Sequence, residues 1–376
     1  MKKALIVTSV ASMIQQFNMI NIKLLQNLGF DVDVACNFEI GNTISNKKID
    51  ELKAELQKLG VNFFQVDFSR NITDVIKHVR SYNQLQKIVE ADNYSFVHCQ
   101  APIAGIITRL IKYPSSKVIY TAHGFHFYKG APKINWLMLY PLERLFSRKT
   151  NHLITINKED YHFAKKKFYA QNLHYVHGVG LATKKFENIK PFNLDNLKNF
   201  DDDLVFMSIG ELNDNKNQQQ VINDLEKIRD RHFIYIICGV GKKREYLEQL
   251  IKEKGLENKI FLLGYREDIP NLLAATNVYI HPSKREGLPV SVMEAMYTGV
   301  PICCSNIRGN VDLVRHEVNG YLVDLNNSDE GFDFYLSNFF GNERMLTEMG
   351  EKSIKLINPF LEKNVIQELE DIYSSY

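Results

Sequence analysis

Two glutamates spaced eight residues apart stand around a glycine and a proline in the second half of the chain. The order is Glu286, Gly287, Leu288, Pro289 and, further on, Glu294, after an apolar run that predicts a buried strand. Pro289 fits the first position of a helix, so the amides of Gly287 and Leu288 would lie free at the helix N-terminus. Free amides, the helix dipole and a glycine that lets a ligand approach together predict a site for a diphosphate.

The two carboxylates indicate what the phosphates belong to. Glu286 precedes the predicted helix, and Glu294 lies about one and a half turns inside it. Carboxylates placed in this way can accept hydrogen bonds from the sugar and ribose hydroxyls at the two ends of a sugar nucleotide. The alternative is a loop and helix with incidental surface glutamates, which two glutamates alone would favour but the whole string does not.

Short β-branched or aromatic runs alternate with helix-period segments along the whole chain. The predicted strands cover 4–8, 32–36, 63–66, 96–99, 118–121 and 153–156 in the first half, and 204–209, 233–238, 260–263, 278–281 and 301–304 in the second. Gly29 and Gly60 directly follow leucine stripes, where glycines end helices. The alternation predicts an α/β fold of two Rossmann-like, doubly wound parallel-sheet domains with a ligand cleft between them.

The length of 376 residues exceeds what a single hydrophobic core serves. We predict an N-terminal domain over residues 1–183, a polar, aspartate-rich linker over 184–203, and a second domain over 204–358. The last stretch, 359–376, has no strand after it and is expected to be a helix that can pack back on the N-terminal domain.

Composition and charge restrict where the protein can be located and what it can bind. No apolar run reaches the roughly 20 residues that span a bilayer, and the start is too short for a signal peptide, so a cytoplasmic or peripheral membrane protein is expected. The five cysteines form no C-x-x-C pair and are expected to be reduced core residues.

The charge is distributed unevenly along the chain. Residues 1–190 carry 26 Lys+Arg against 14 Asp+Glu, a net charge of +12, whereas 191–376 carry 20 against 30, a net charge of −10. A basic half suits an anionic membrane, a phosphorylated acceptor or nucleic acid, or is simply a solvated lysine-rich surface.

The string from Glu286 to Glu294 resembles the E-x7-E signature of the retaining glycosyltransferase family 4. Further family-like stretches are His281-Pro282-Ser283, Gly299-Val300-Pro301, Gly264-Tyr265-Arg266-Glu267-Asp268, Asn319-Gly320-Tyr321-Leu322-Val323 and Gly239-Val240-Gly241. The resemblance implies a GT-B fold and a nucleotide-sugar donor, with Glu286 and the following amides binding sugar and phosphate and Glu294 binding the ribose. It implies the same donor site for Gly210, Lys216, Gly239, Arg266, Gly287, Leu288 and Pro289. Because the helix amides and Lys216 can stabilise the diphosphate, no metal or other cofactor is expected.

Two departures from the family pattern affect the expected phosphate contacts. Glu211 follows Gly210 where the family often has arginine, so Lys216 would carry more of the diphosphate charge as a point charge. At the first strand, 10–12 reads Val-Ala-Ser where the family often has a glycine pair. Lys216 and Glu286 are therefore the residues on which catalysis is expected to depend in this half.

A histidine follows the fifth predicted strand of the first half, in the context Thr121-Ala122-His123-Gly124. Alone, such a histidine is more often structural, but the resemblance places His123 beside the transferred sugar as a catalytic residue. His126 and Ser12 are further candidates on the acceptor side.

The resemblance extends to the subgroup that builds bacterial capsular, exopolysaccharide or O-antigen chains. It implies a UDP-linked hexose or N-acetylhexosamine as donor and a polyprenyl-diphosphate-linked saccharide as acceptor.

Residues 135–149 contain the only tryptophan, Trp136, and end in cations. Aromatic and apolar residues with flanking bases can enter a membrane interface, or they can form a helix packed on its own sheet, which is the preferred interpretation. The run 165–169 extends the basic surface or is a solvated helix end.

Two acidic runs could bind a metal, and three other functions are compatible with parts of the sequence. Asp31-Val32-Asp33 falls in a strand and 201–203 falls in the linker, so both are interpreted as structural. A sugar-nucleotide epimerase of the same architecture would convert donor without acceptor. A nicotinamide-dependent oxidoreductase would need a G-x-G-x-x-G loop, which this sequence lacks after its first strand and after Gly239-Val240-Gly241. A nucleic-acid or partner-binding protein would leave the Glu286–Glu294 string unexplained, so no nucleic-acid partner is expected.

Overall fold

The computed structural model describes residues 2–112, 117–128, 130–327 and 329–376, and the chain forms two compact units. The first unit comprises Met1–Val179 and Lys363–Tyr376, and the second comprises Gly180–Glu362. Each is built on a parallel sheet covered by helices on both faces. The predicted α/β fold of two Rossmann-like domains is confirmed.

Within the described ranges, the strands are β1 (Lys2–Val10), β2 (Phe30–Asn37), β3 (Asn62–Gln65), β4 (Phe96–Gln100), β5 (Lys117–Ala122), β6 (His152–Thr155), β7 (Asn172–Tyr175), β8 (Leu204–Ile209), β9 (Phe233–Cys238), β10 (Ile260–Gly264), β11 (Val278–His281), β12 (Ile302–Ser305) and β13 (Gly320–Val323). The helices over the same ranges are α1 (Ala11–Phe17), α2 (Met19–Asn27), α3 (Asn46–Lys58), α4 (Val75–Ala91), α5 (Pro102–Leu110), α6 (Lys133–Ser147), α7 (Lys158–Lys167), α8 (Gln218–Glu226), α9 (Arg244–Glu253), α10 (Ile269–Ala274), α11 (Val290–Tyr297), α12 (Asn310–Leu313), α13 (Phe332–Ser337), α14 (Glu343–Leu356) and α15 (Glu362–Tyr373).

The sheet of the first unit has the order β3-β2-β1-β4-β5-β6-β7, with its strands parallel. Central strands of such a sheet are buried on both faces, and β1 is accordingly buried without a break from Ala4 to Val10. Helices α1–α3 and α15 pack on one face, and α4–α7 pack on the other. Gly29 and Gly60 end α2 and α3 with φ of +83° and +70°, as their positions predict.

The sheet of the second unit has the order β10-β9-β8-β11-β12-β13. Helices α10–α12 contribute to the apolar cluster on one face, and α8, α9 and α13 to the cluster on the other. The stretch 184–203, predicted as a linker, belongs to this unit, because Phe186 and Leu194 are buried in its core. Its apolar residues are sparse among polar ones, so the sequence pattern concealed them.

Two edge strands, β7 and β13, were not among the predicted strands. The sequence of β7, Asn-Leu-His-Tyr, has no apolar run, and β13 opens on Gly320. A Cβ at Gly320 would lie 1.8 Å from the carbonyl oxygen of Ile302 on the adjacent strand. The glycine that resembles a turn signal is therefore required by close strand pairing.

The last helix, α15, completes the core of the first unit. Val365, Leu369 and Ile372 are buried among the side chains of α1–α3 and β1–β2. Tyr373 is fully buried, and its hydroxyl contacts Nδ1 of His98 at 2.8 Å. A short 3-10 turn, 358–360, precedes this helix.

The cysteines and the tryptophan-containing segment lie in the structure as follows from their apolar surroundings in the sequence. All five cysteines, which are Cys36, Cys99, Cys238, Cys303 and Cys304, are free thiols buried in apolar surroundings. Helix α6 packs Leu139 and Tyr140 into the apolar cluster on one face of its own sheet, as preferred for residues 135–149, and its Phe146 is buried. None of the helices in the described ranges is both long and apolar enough to cross a membrane.

Candidate active site

The strand order of the second unit reverses between β8 and β11, which lie side by side. Ligands of open α/β sheets bind beyond the carboxyl ends of the strands at this point. Gly210 directly follows β8, and His281 ends β11. The sequence-predicted residues Lys216 and Glu286 follow these two strands, so the fold brings them to the same edge of the sheet.

Lys216, Glu286 and His281 form one contact group at this edge. The Lys216 ammonium donates to Oε1 of Glu286 at 2.6 Å, and Nε2 of His281 lies 3.1 Å from the same oxygen. The side chains of Glu286 and Lys216 are 14% and 23% exposed, so a ligand could still reach them. The ion pair joins residues that are 70 positions apart in the chain.

The charges of this group follow from its contacts. Burial alone would raise the pKa of Glu286, but hydrogen bonding from His281 and the Lys216 ammonium hold that pKa well below its usual range. Burial lowers the pKa of His281, so the ring is neutral at pH 7. Because an ionised carboxylate only accepts hydrogen bonds, the Nε2 of His281 carries the proton and donates it. Glu286 is therefore a fixed carboxylate whose formal countercharge is Lys216.

Two glycines set the shape of this region. A Cβ at Gly239 would lie 1.8 Å from the carbonyl oxygen of Gly210, so the turns after β9 and β8 touch through their main chains. A Cβ at Gly210 would lie 3.2 Å from Cδ of Lys216. The lysine stem thus crosses the surface that Gly210 leaves open, which positions its ammonium toward Glu286.

The sequence predicts Pro289 at the first position of the helix. In the structure it is instead the N-cap of α11. Its backbone is extended, with φ −78° and ψ 114°, and the helix begins at Val290. The amides without an intrahelical partner at this terminus are therefore those of 290–292, while Gly287 and Leu288 lie half-buried in the preceding loop. Because the ψ angle of Pro289 is extended, the helix begins one residue later than the sequence pattern indicates.

Arg308 is a buried cation beside this loop that the sequence did not single out. It is 7% exposed, and its Nε donates to the carbonyl oxygen of Glu286 at 3.2 Å. A Cβ at Gly309 would lie 2.5 Å from the carbonyl oxygen of Gly287, so the two loops pack main chain against main chain. An Arg-Gly pair shortly after a predicted strand is the signal that could have identified it.

The stretch predicted as a linker supplies partners to two further predicted site residues. The Lys185 ammonium pairs with the carboxylate of Glu294, which is 8% exposed. The guanidinium of Arg266 contacts Asp268 at 2.8 Å and lies over the ring of Phe192, 5.0 Å from its centroid. The contacts from Lys185 and Phe192 join residues that are far apart in the sequence, so local patterns do not reveal them.

The predicted histidine of the first unit lies next to a buried amide. The first sheet reverses its order between β1 and β4, and Gln100 ends β4 while His123 follows β5. Nε2 of His123 lies 2.6 Å from Oε1 of Gln100, and the amide nitrogen of Gln100 donates to Oδ1 of Asn18. Since Gln100 presents its oxygen, the Nε2 of His123 carries a proton and the Nδ1 keeps its lone pair. Burial lowers the pKa of His123 to about 4, so the ring is neutral at pH 7.

The two candidates for the acceptor side are held by local contacts. Ser12 is buried, its N–H donates to Oδ1 of Asn42 at 2.9 Å, and its hydroxyl accepts from the N–H of Thr43. Helix α1 begins directly after β1, so no glycine loop separates them. The carbonyl oxygen of His126 accepts a hydrogen bond from the side-chain amide of Asn135, in the first turn of α6.

The acidic pattern at 31–33 has a structural role. Asp33 is buried within β2, pairs with Lys3 at 2.8 Å, and accepts from Tyr94 at 2.6 Å and Asn62 at 2.9 Å. Over the described residues, no cluster of three or more His, Cys, Asp or Glu side chains has the arrangement of a metal site.

Two family models together match most of the chain. The model described as "Glycosyl transferases group 1" matches residues 190–356, and "Glycosyl transferase 4-like" matches residues 7–157. These ranges include the Lys216–Glu286 pair and the strand reversal of the first sheet. The chain belongs to the glycosyltransferases of the GT-B fold.

Curated relatives and a solved structure match the chain over nearly its whole length. The putative glycosyltransferase EpsD of Bacillus subtilis is 29% identical, with 100% of this chain and 97% of EpsD covered. An Escherichia coli enzyme, UDP-Gal:alpha-D-GlcNAc-diphosphoundecaprenol alpha-1,3-galactosyltransferase, is 28% identical over 96% of this chain and 93% of its own. HepE of Anabaena, solved in complex with UDP-glucose, shares the fold with a TM-score of 0.77 at 18% identity, covering 100% of both chains.

Acid is expected to destabilise the first unit through one buried and two half-buried histidines. Burial lowers the pKa of His98 to about 3 and those of His123 and His152 to about 4. Below pH 6.5 the unfolded chain therefore binds protons that the folded chain does not, and the free energy of unfolding falls as the pH falls toward 4. For fully buried His98 the limiting slope is about 1.4 kcal/mol per pH unit.

Denaturant unfolding of the full chain at pH 7, 6 and 5 measures this slope. His152→Gln should flatten it, and replacement of the exposed His162 by glutamine serves as the control. A free energy of unfolding that stays constant from pH 7 to pH 5 would contradict the assignment of neutral rings with lowered pKa values.

Proposed function

We propose that this protein transfers a hexose or N-acetylhexosamine, with retention of configuration, from a UDP-linked donor to a hydroxyl of a polyprenyl-diphosphate-linked saccharide during cell-surface polysaccharide synthesis. The observation that carries the donor half is the Lys216–Glu286 pair, 2.6 Å long, at the strand reversal of the second sheet. The E. coli relative, whose name specifies UDP-Gal and a diphosphoundecaprenol acceptor, supports the two substrate classes.

The departing nucleoside diphosphate must be stabilised while the sugar becomes oxocarbenium-like. The ammonium of Lys216, the N-terminal amides of α11 and the nearby cation of Arg308 can stabilise that growing negative charge. The fixed carboxylate of Glu286 can accept hydrogen bonds from sugar hydroxyls. We propose front-face attack, in which the acceptor oxygen bonds to the anomeric carbon as the bond from that carbon to the diphosphate breaks, and the departing phosphate oxygen takes the hydroxyl proton. No metal is required in this proposal, and His123 is proposed to lie beside the transferred sugar.

Purified protein incubated with radiolabelled UDP-sugars, with and without a short-chain polyprenyl-diphosphate saccharide, tests the proposal. Labelled lipid-linked product formed only when acceptor is present supports it, and unchanged rates with EDTA support metal independence. Conversion of the donor to an epimer without acceptor would favour the rival epimerase. No product with any of the UDP-sugars would overturn it.

We also propose that the protein is peripheral on the cytoplasmic membrane, with helix α6 as a contact. Ile134, Leu137 and Met138 in its first turns are 55%, 74% and 42% exposed, and Trp136 is 36% exposed beside them. Lys133 starts the same helix. Exposed apolar side chains with adjacent cations suit the interface of an anionic bilayer.

Sedimentation with anionic liposomes at low salt measures this contact. Leu137→Glu should reduce the bound fraction severalfold, because it places a carboxylate against anionic headgroups. Val318→Glu, an exposed apolar residue of the second unit, is the matched control. Absence of binding by the unmodified protein would remove the support for the membrane contact.

A further inference from the structure

A large cavity of the first unit lies at the carboxyl ends of β2 and β3, away from the strand reversal. Its volume is about 640 Å³, within the range of small-molecule sites. In the sheet, β5 is three strand spacings from β2 and four from β3, or roughly 14–19 Å. The cavity is therefore separate from the surroundings of His123.

The cavity wall is a prearranged hydrogen-bond network. Buried Asn37 receives an amide hydrogen bond from Gln65 at 3.2 Å, and Gln65 donates to Asp67 at 2.9 Å. Asp67 also accepts from Gln84 of α4 at 3.1 Å. These groups largely satisfy one another, so the wall is fixed before any ligand binds.

Three cations of the cavity lining can still donate hydrogen bonds to a ligand. Arg80 is 70% exposed and is held at 2.8 Å by Asp67, and Lys77 is 56% exposed, 3.5 Å from Asp74. Arg70 contacts the carbonyl oxygen of Gly41 at 3.3 Å, and in the described part of the chain no carboxylate pairs with it. Glu39 is the other acidic group of the lining. Guanidinium groups held in this way suit phosphate oxygens.

Exposed aliphatic side chains adjoin these cations. Ile40 lines the cavity and is 64% exposed. On α4, Ile76 is 87% exposed and lies one turn before Arg80, with Val75 and Val79 at 65% and 56% beside it. Cations next to an exposed apolar stripe favour a ligand that carries a phosphate group at the end of a hydrocarbon chain.

We propose that this cavity binds the diphosphate of the polyprenyl-linked acceptor, with its prenyl chain lying along Ile76 and its neighbours. The inference rests on the proposed function for the identity of the acceptor. The cations Arg70, Lys77 and Arg80 hold the two phosphates, and the network through Asp67 orients Arg80.

Calorimetric titration of the full chain with farnesyl diphosphate tests the site. The protein should bind farnesyl diphosphate at least about tenfold more tightly than farnesyl monophosphate, and the double variant Arg70→Ala/Arg80→Ala should lose at least about tenfold in affinity. Lys87→Ala, an exposed cation later on α4, should stay within about twofold. Ile76→Asn should weaken binding of farnesyl diphosphate but not of inorganic diphosphate.

Equal affinity for the two farnesyl compounds, or a double variant that binds like the unmodified protein, would overturn the proposal. So would a double variant that loses only its binding to anionic phospholipid vesicles, since the cations would then serve bulk lipid. UDP-sugar binding should be unchanged in the double variant while the KM for the lipid-linked acceptor rises. Diphosphate binding without any glycosyl transfer would refute the proposed function and leave this site intact.

Discussion

Glu286→Ala is expected to reduce glycosyl transfer about 100-fold or more, with the fold retained. The substitution removes the carboxylate that the structure fixes between Lys216 and His281 at the strand reversal. A preorganised charged group of this kind is worth a large factor when it contacts the reacting sugar. The initial rate of labelled product formation at saturating UDP-sugar measures the loss.

Two further variants separate charge from shape. Glu286→Gln keeps the side-chain volume and loses the charge, so a similar drop would assign the effect to the carboxylate. Glu257→Ala, an exposed glutamate of the same unit, is the matched control and should keep the unmodified rate. Transfer at the ordinary rate by Glu286→Ala would show that the site lies elsewhere.

Lys216→Ala should also reduce transfer sharply, and the double variant with Glu286→Ala should lose less than the product of the two single effects. The two side chains share one ion pair, and contacting residues are coupled. Lys252→Ala, an exposed lysine on α9, controls for general charge loss. Strictly multiplicative losses would mean that the two residues act independently.

Gly239→Ala should lower the free energy of unfolding by about 3 kcal/mol and weaken binding of the UDP-sugar. The added Cβ would meet the carbonyl oxygen of Gly210 at 1.8 Å, which no side-chain rotation can relieve. The ends of β8 and β9 must separate, and the stem of Lys216, which lies against Gly210, moves with them. Denaturant unfolding and titration with UDP-sugar measure the two effects.

The control glycine is in the same unit. Gly255 has φ +65° and no atom within 4 Å of the position of a Cβ, so Gly255→Ala carries only the backbone cost of about 1–2 kcal/mol. Its UDP-sugar binding should be unchanged. Equal losses in the two variants would show that backbone conformation, and not main-chain contact, decides the effect at Gly239.

The sequence predicted those parts of the fold whose signals are local. Apolar runs located strands such as β8 and β11, and Gly29 and Gly60 marked the ends of α2 and α3. The Glu286–Glu294 string located the turn into α11 to within one residue, although Pro289 caps the helix instead of starting it. Local propensity fixes such positions because it depends on neighbours in the chain.

The contacts that complete the candidate site could not be predicted in this way. Lys185 reaches Glu294 across 109 positions, and Gln100 reaches His123 across 23, with no shared pattern in the sequence. Arg308 lies beside Glu286 only because β12 is placed next to β11. Each of these contacts depends on how distant segments pack in the fold, which apolar periodicity does not specify.

The position of α15 has a consequence for biosynthesis. Residues 363–376 belong to the first unit, yet the ribosome adds them after the whole of 180–362. Until then the apolar surface around Phe96 that packs against Tyr373 is uncovered in the nascent chain. The unit that emerges first is therefore the last to be finished, and a chain released before Lys363 would expose an aggregation-prone face on an otherwise complete sheet.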